Sequence, residues 1–498
     1  MTINITFTAI ILVYIAVVGV LGARAAKYLK ERPTFHEYGA VSGGAGAILI
    51  GFSVFTSTTS ASSFVGWPGN GYNIGLPFIL GLMLPTVLAP YFIVGKRLRR
   101  VGSKHKITTI AEYVGERFDS KGLRAVYACL CFAFLIPYMA VQIQALGMAF
   151  EIFGGWSYNA ACIVIALVVI GYCAAGGMRA AIWTDVIQGV LMLTVCIAFP
   201  IIILVNNGGL TGLLTTVQEV RPEGLFPPGS PAAWATVPTV LAFVFSASLC
   251  NSASPYGGQK YLLAKSDKAI YKGSLVSLGS GAALHTFFQF IMLLGVVALF
   301  PVLGDLRNDQ LVYTAMQMYL PMAVSSILIA GIAAASMSSV DSMMVMSATA
   351  IMRDLVQKVF GSKIPEKKLV TNARLLAIVI GVIALIMALN PVDLMFTMIF
   401  FTMNIYAVSA IPMIAGLYWK RATKEAALIS VIVGEITLIT FSAYGPLAQM
   451  KGIVSSELTI AVIVTVVLMV GISLITPRSS DRILQDFFPP YKASGGEA

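Results

Sequence analysis

A run of hydroxyl side chains interrupts a long apolar segment near the start of this 498-residue chain. Residues 56–63 read TSTTSASS, seven hydroxyls in eight positions, and the turn-forming sequence WPGN follows at 67–70. Hydroxyl and carbonyl oxygens are hard ligands that suit a small cation, and they also hydrogen-bond polar organic molecules. Inside a membrane, non-helical polar backbone survives only where it lines a cavity within the protein. The run therefore predicts a binding site for small hydrophilic ligands.

A second apolar segment is interrupted in the same way. Residues 246–259 read SASLCNSASPYGGQ, with small polar residues, a proline and two glycines. Paired interruptions at corresponding positions of two halves are typical of transporters built from inverted repeats. Small residues can also serve close helix packing, and hydroxyls can bond to their own helix without touching a ligand. The matching positions favour a site.

A third polar group lies on one helical face within residues 333–342. Ser338, Asp341 and Ser342 have the spacing i, i+3 and i+4. Asp185 is a second carboxylate in an apolar segment. A buried carboxylate in a membrane is costly and is by default a functional-site hypothesis, although bonding to neighbouring helices or protonation would also explain it.

The elements that position these residues are membrane helices. The chain is 58% hydrophobic and 11% charged, whereas soluble domains average about 25% charged residues. About thirteen segments are long enough to cross a bilayer. They lie at 4–25, 43–68, 75–95, 124–150, 157–177, 181–206, 233–261, 270–302, 322–351, 370–390, 394–418, 425–445 and 456–476.

The loops between these segments set the orientation. With the N-terminus outside and the C-terminus inside, 30 of the 33 Lys and Arg residues fall on the inner side, as the positive-inside rule requires. The basic residues, Lys260 among them, are thus interpreted as inner-face anchors and not as a nucleic-acid site. Segments 2–6 and 7–11 then form two inverted five-helix repeats. The predicted units are an additional N-terminal helix at 1–40, a first repeat at 41–210, a second repeat at 211–420, and two C-terminal helices with a cytoplasmic tail at 421–498.

Other function classes lack their signatures. The six cysteines lie in apolar segments without a CxxC pair, and the three histidines are scattered. We expect neither an organic cofactor nor a metal cluster, and no nucleophile motif indicates an enzyme. A membrane sensor of the same architecture would need an output module, and only about 20 residues follow Thr476.

Three motifs give the chain a family resemblance. GGMRAAIWTDVIQ at 176–188, SASSFVGWPG at 60–69 and AAASMSS at 333–339 resemble the sodium:solute symporter family, which includes sodium/proline, sodium/pantothenate and sodium/glucose cotransporters. The resemblance spans about residues 5–476. It implies a LeuT-like fold with a 5+5 inverted repeat, and it implies Na⁺ as the coupling ion.

The resemblance also implies cation sites. The main sodium site would use the carbonyls of Thr56, Thr59 and Ala335 and the hydroxyls of Ser338 and Ser339. The side chains at Thr56 and Thr59 would then be loosely constrained. Asp185, Asp341 and Ser342 match a second sodium site that some members possess. Thr58 stands where proline symporters carry aspartate, and Asp341 stands where serine is often seen, so two sodium ions, or one sodium ion and one proton on Asp341, are both open.

The solute cavity is expected to be lined by neutral donors and aromatic rings. These residues are Ser60, Ser62, Ser63, Phe64, Tyr138, Gln142, Asn251, Ser254, Tyr256, Gln259 and Asn404. With no carboxylate in the set, an organic anion is favoured over a cation. The 60–69 motif and MAVQ at 139–142 resemble the pantothenate and monocarboxylate branch most.

Together these features predict a sodium-coupled symporter that imports a small carboxylate by alternating access. Proline, another amino acid or a sugar is the alternative solute. The expected setting is the inner (plasma) membrane, with the lipid bilayer, sodium and the solute as partners and a functional monomer.

Overall fold

The computed structural model describes residues 3–31, 34–39, 44–75, 90–221, 237–390, 395–443 and 456–488. Within these ranges the chain is helical, and its extended pairing is an isolated bridge between Ala45 and Ala264. The predicted third segment, 75–95, lies mostly outside the described residues.

The first half of the chain contains ten described α-helices and one π-helical turn. They are α1 Ile5–Glu31, α2 Phe35–Gly39, α3 Ala47–Thr58, α4 Ala61–Phe64, α5 Gly66–Ile74, a π-helical turn Tyr91–Gly95, α6 Lys96–His105, α7 Ile110–Arg117, α8 Lys121–Gly154, α9 Tyr158–Asn206 and α10 Gly209–Val220.

The second half continues the same pattern. It contains α11 Val237–Ala253, α12 Pro255–Gly258, a 3₁₀ turn Gln259–Leu263, α13 Asp267–Val276, a π-helical segment Ser277–Ala283, α14 Leu284–Leu299, a 3₁₀ turn Asn308–Gln310, α15 Leu311–Tyr319, α16 Met322–Thr349, a π-helical segment Ala350–Val359, α17 Glu366–Leu389, α18 Met395–Tyr418, α19 Lys424–Ala443, α20 Ser456–Ile475 and α21 Asp481–Phe487.

The apolar helices are long enough to span a bilayer. In the described ranges nine helices meet the length and hydropathy required, or ten when the bent pair α3 and 61–72 is taken as one span. The prediction from composition, a helical membrane protein with many spans, is confirmed. Thirteen spans, with the N-terminus outside, stays a prediction.

Helix α9 must contain two of the predicted spans. Its 49 residues would extend about 74 Å as one straight helix, far beyond the roughly 30 Å hydrocarbon core. Gly177, with φ 61° and ψ −155°, breaks the helical geometry between them. A Cβ at Gly177 would lie 2.6 Å from the carbonyl oxygen of Tyr38, so the position requires glycine for both its conformation and the close approach.

Both predicted interruptions are breaks in the structure. The first separates α3 from the following helix at Thr59 and Ser60 and bends the chain by 70°. The second falls at Ser254, the N-cap residue that precedes α12. Helix α16 lies against α3, α8 and α9 and is the most enclosed candidate span, 83% buried, so it faces the first break from inside the bundle.

Candidate functional site

A cluster of oxygens lies where the first break meets α16. Ser338 Oγ is 3.0 Å from the carbonyl oxygen of Thr56 and 3.0 Å from that of Ala335. Ser339 Oγ is 3.1 Å from the same Ala335 carbonyl. Thr59 has extended backbone at the break, so its carbonyl leaves the helical direction. The structure thus brings four residues of the predicted main cation site into one buried cluster, with Thr59 beside it.

The side chain of Thr56 is constrained as well as its carbonyl. Thr56 Oγ1 donates to Asp185 Oδ1 at 2.9 Å, and Ser53 Oγ donates to Asp185 Oδ2 at 2.5 Å. The expectation that the identity of residue 56 matters little is therefore wrong. Asp185 thus binds α3 through two hydroxyls, and Ser338 contacts the same helix through the Thr56 carbonyl.

Lys260 completes this arrangement, and its predicted position at the inner face is wrong. Its Nζ lies 3.1 Å from Asp185 Oδ2 and 3.0 Å from the Ser53 carbonyl, and it also bonds Ser57 Oγ. Lys260 and Asp185 are both fully buried, so this lysine is a core residue and not an inner-face anchor. The available signal is that the apolar sequence YLLA follows Lys260 directly, which places the lysine inside an apolar segment.

The second predicted carboxylate belongs to a separate set of hydrogen bonds. Asp341 Oδ2 accepts from Tyr172 Oη at 3.1 Å and from Thr184 Oγ1 at 3.3 Å. Within the described ranges, Asp341 Oδ1 and Ser342 Oγ have no hydrogen-bond partner. The oxygens of Asp185 are already engaged by hydroxyls and an ammonium. Of the three residues predicted for the second cation site, Asp341 and Ser342 therefore have oxygen atoms available to bind a cation.

The second half of the first break faces α8. Tyr138 Oη donates to Ser60 Oγ at 3.3 Å, and Ser60 Oγ is 2.7 Å from Ser62 Oγ. The backbone N–H of Ala61 donates to Gln142 Oε1 at 3.1 Å. Because a backbone N–H can only donate, the atom of the Gln142 side-chain amide that faces Ala61 must be the oxygen. The amide nitrogen Nε2 therefore points away from Ala61. Among the described residues Nε2 has no partner, so it is a donor for a ligand.

Two predicted solute contacts serve the backbone at the breaks. Ser63 Oγ accepts from the N–H of Ser60 at 3.2 Å, and Ser254 Oγ accepts from the N–H of Gly257 at 3.2 Å. These are helix N-cap interactions, which stabilise the start of each short helix. Asn251 lies three residues before Ser254, half-buried at the end of α11. The Ser63 and Ser254 hydroxyls therefore shape the site.

Phe64 lies in an aromatic cluster on the far side of the break. Its ring centroid is 5.0 Å from that of His285 and 5.0 Å from that of Phe288. Gln289 Nε2 donates to the carbonyl of Ser63 at 3.1 Å, a contact that the sequence analysis did not predict. Helix α14 thus packs against the residues that follow the first break.

The second broken segment reaches the same region through aromatic rings. Tyr256 has its ring centroid 5.4 Å from that of Tyr138 and 6.1 Å from that of Tyr406. Gln259 Nε2 and Asn404 Oδ1 are buried and have no partner among the described residues. The ring contact with Tyr138 joins Tyr256 to Ser60, because Tyr138 donates a hydrogen bond to Ser60. The amide atoms of Gln259 and Asn404 that have no partner offer further polar contacts to a ligand.

A small cavity lies on the predicted inner side of this region. Gln259 and Tyr406 border a cavity of about 10 Å³, the size of a single water. Its other walls include Thr109, Ile110 and Ala111, which lead into α7. Among the described residues, this cavity has no room for a solute.

A buried charge network holds α7 in that position. Arg124 Nε lies 3.0 Å from Asp354 Oδ1, and Arg124 Nη2 lies 3.3 Å from Glu112 Oε1. Thr109 Oγ1 donates to Asp354 at 2.7 Å, and Arg353 lies 3.1 Å from Glu112. The network therefore joins α7, the start of α8 and the segment after α16.

The chain is similar to transporters over most of its length. The sodium:solute symporter family model matches residues 38–434. The sodium/pantothenate symporter of Escherichia coli (strain K12) is 26% identical over 85% of this chain and 88% of the relative. The sodium/proline symporter of the same strain is 24% identical over 84% of each chain.

A solved structure supports the fold. A Na⁺-coupled sialic acid symporter, in a substrate-bound outward-open state, matches with a TM-score of 0.82 at 22% identity, over 96% of this chain and 99% of that chain. The LeuT-like helical fold is thereby confirmed. With the family match, the protein is a multi-pass transporter of the cell inner membrane and not an enzyme. The chain belongs to the sodium:solute symporter family, whose activity is sodium-coupled solute symport.

Proposed function

We propose that sodium binds in the oxygen cluster between the first break and α16. Its ligands are the carbonyls of Thr56, Thr59 and Ala335 and the hydroxyls of Ser338 and Ser339. The observation that supports this site is that Ser338 Oγ lies 3.0 Å from carbonyls of both elements. When the hydroxyl protons rotate away, the lone pairs of both serines are available to a hard cation. The ion then replaces the direct Ser338 contacts and fastens α3 to α16.

A second cation binds at Asp341 and Ser342. Asp341 is fully buried, and one of its oxygens has no partner among the described residues. A cation there neutralises a carboxylate that is otherwise costly in the membrane. Asp185 takes part indirectly, since it positions Thr56 and its neighbour Thr184 donates to Asp341.

The solute is a small carboxylate, with pantothenate and monocarboxylates as the first candidates. It lies beside Ser60, Ser62, Tyr138 and Gln142 and reaches Tyr256, Gln259 and Asn404. The Gln142 and Gln259 amides offer unpartnered N–H donors to an anion. Sodium bound next to the break adds positive charge on the same side.

Coupling follows from the short distance along the chain between the two sites. Thr59, a sodium ligand, is followed directly by Ser60, which bonds Tyr138 on the solute side. Ordering the break by either ligand favours binding of the other, and this coupling free energy is reciprocal. The membrane potential contributes about 2.3 kcal/mol per charge per 100 mV to inward movement.

Alternating access requires the solute site to open to each side of the membrane in turn. A cavity of about 10 Å³ lies beside Gln259 on the predicted inner side, and a cavity of about 300 Å³ lies near Glu151 and Arg307 on the predicted outer side. The two repeats, at 41–210 and 211–420, move relative to one another during transport. The protein functions as a monomer, and the segments 1–40 and 421–498 lie outside the two repeats. Disruption of the Arg124 network accompanies opening to the inside.

A thermal-shift screen tests the solute assignment. Purified protein is titrated with D-pantothenate, L-lactate, L-proline and D-glucose, each with sodium and with potassium as the salt. We expect stabilisation by D-pantothenate or L-lactate that requires sodium. Stabilisation by D-glucose, or by L-proline, whose carboxylate is balanced by an ammonium group, would contradict the assignment of an anionic carboxylate. Sodium-driven uptake of the stabilising compound into proteoliposomes then separates a transporter from a membrane sensor, which binds without uptake.

A further inference from the structure

A basic pocket lies at the inner end of the bundle, away from the transport sites. Its volume is about 420 Å³, and it is bordered by α6, by the end of α18 with Lys420, and by α21 with Phe488. The sodium and solute residues do not border it. The transport mechanism leaves this pocket unexplained.

The charge of the pocket comes mainly from one face of α6. Arg97, Arg100, Val101 and Lys104 border it and follow the spacing i, i+3, i+4 and i+7. The opposite face is fixed against the bundle: a Cβ at Gly102 would lie 2.4 Å from the side chain of Leu262. The helix therefore presents its basic face to the pocket.

The basic side chains are held in place at the wall. Arg97 Nη1 donates to the carbonyl of Leu417 at 2.9 Å, and its guanidinium lies 3.9 Å from the Tyr418 ring centroid. Lys104 Nζ lies 3.2 Å from Asp486 Oδ1. Such contacts orient the cations and reduce the conformational entropy lost when a ligand binds.

Positive charge predominates in this wall. Four cations border the pocket, and Asp486 is the acidic residue among its lining side chains. Asp267, which does not border the pocket, forms ion pairs with both Arg100 and Arg99. Its negative charge is therefore shared between two arginines. The pocket is therefore suited to an anion.

Apolar residues continue from the pocket toward the membrane. Phe92 and Ile93 precede α6 directly and are 59% and 43% exposed. They end the predicted third span, so their exposed surface meets lipid chains where the helix reaches the inner interface. Tyr418, 42% exposed, donates to the Ile93 carbonyl and connects the two surfaces.

We propose that this pocket binds the phosphate group of an anionic phospholipid. The phosphate lies among Arg97, Arg100, Lys104 and Lys420, where charge-assisted hydrogen bonds are strong, and the acyl chains follow Phe92 and Ile93. Free phosphate shares the headgroup chemistry. The adjacent lipid-facing surface favours the lipid as its source.

Native mass spectrometry of the purified full chain tests the proposal. Phosphatidylglycerol, phosphatidylcholine and inorganic phosphate are the probes, and Lys104→Gln/Lys420→Gln is the test variant. Lys367→Gln/Lys368→Gln removes the same charge from an exposed site on α17 and is the control. Thermal unfolding without added lipid checks that each variant is folded, and Arg97→Gln replaces the test variant if it is not.

We expect one phosphatidylglycerol to bind the native chain and the control, at least tenfold more tightly than it binds the test variant. Phosphatidylcholine and millimolar inorganic phosphate should not displace it. Equal binding of phosphatidylglycerol to the test variant, or equal retention of phosphatidylcholine, overturns the proposal. Displacement by inorganic phosphate overturns the lipid assignment and identifies a free-anion site.

Discussion

Lys260 and Asp185 form an ion pair in the middle of the bundle, with Nζ and Oδ2 3.1 Å apart and both side chains fully buried. The pair connects the second broken segment to α9. Through Ser53 and Thr56 it also connects both of them to α3, the helix that carries the first break. The two interrupted segments are thus joined beside the proposed sodium site.

Lys260→Met should destabilise the protein strongly. The substitution leaves Asp185 as a buried carboxylate without its cation, and loss of one partner of a buried pair costs about 3–5 kcal/mol. Thermal unfolding of detergent-purified protein measures the loss.

Asp185→Asn combined with Lys260→Met is the control for that experiment. Because both charges are removed, the double variant should lose much less stability than the sum of the single losses. Strictly additive losses would show that the two side chains do not depend on each other.

Gln142→Glu should impair solute binding selectively. The oxygen that accepts from Ala61 is retained, whereas the unpartnered N–H donors become a carboxylate oxygen that repels an anionic solute. We expect at least a tenfold loss of apparent affinity for the carboxylate found in the thermal-shift screen, with sodium binding preserved. Gln144→Glu, a buried glutamine two residues along α8, is the matched control. A similar loss in both variants would argue against the position of the solute.

Arg124→Ala should open the inner side. It removes the contacts to Asp354 and Glu112 that hold α7 in place. Cys131 borders the small inner cavity and is buried, so it reports on this opening. Maleimide labelling of Cys131, measured by peptide mass spectrometry, should rise at least several-fold. Arg99→Ala, which removes an ion pair nearer the surface, should leave labelling near the native rate.

Asp341→Asn should reduce the charge moved with each solute by one. The substitution keeps the acceptor for Tyr172 but removes the anionic ligand of the proposed second cation. Reversal potentials in proteoliposomes give the charge-to-solute ratio, and ²²Na⁺ flux shows whether the missing charge is sodium or a proton. An unchanged charge ratio would exclude a second coupled cation at Asp341.

The two breaks could be predicted from sequence because their signal is local. Hydroxyls at 56–63 and glycine, proline and serine at 246–259 stand out against apolar neighbours, and the break residues Ser60 and Ser254 lie within them. The spacing of Ser338, Asp341 and Ser342 on one helical face likewise requires no tertiary information, whereas the oxygen cluster with Ser339 was implied by the family resemblance.

Lys260 and Arg124 could not be placed in the same way. Their partners Asp185 and Asp354 lie 75 and 230 residues away in sequence, and loop counting treats each basic residue as an anchor at the inner face. The capping role of Ser63 was also hidden, since a capping hydroxyl and a ligand-binding hydroxyl look alike in a sequence.

Equilibrium binding of ²²Na⁺ to Ser339→Ala tests the proposed sodium site most directly, since it requires no knowledge of the solute. Ser326→Ala is the matched control, because Ser326 is also buried on α16 and its hydroxyl bonds the carbonyl four residues earlier, as that of Ser339 does. We expect Ser339→Ala to weaken sodium binding about tenfold, equivalent to about 1.4 kcal/mol, with Ser326→Ala close to native. Superimposable binding curves for Ser339→Ala and the native protein would contradict the proposed site.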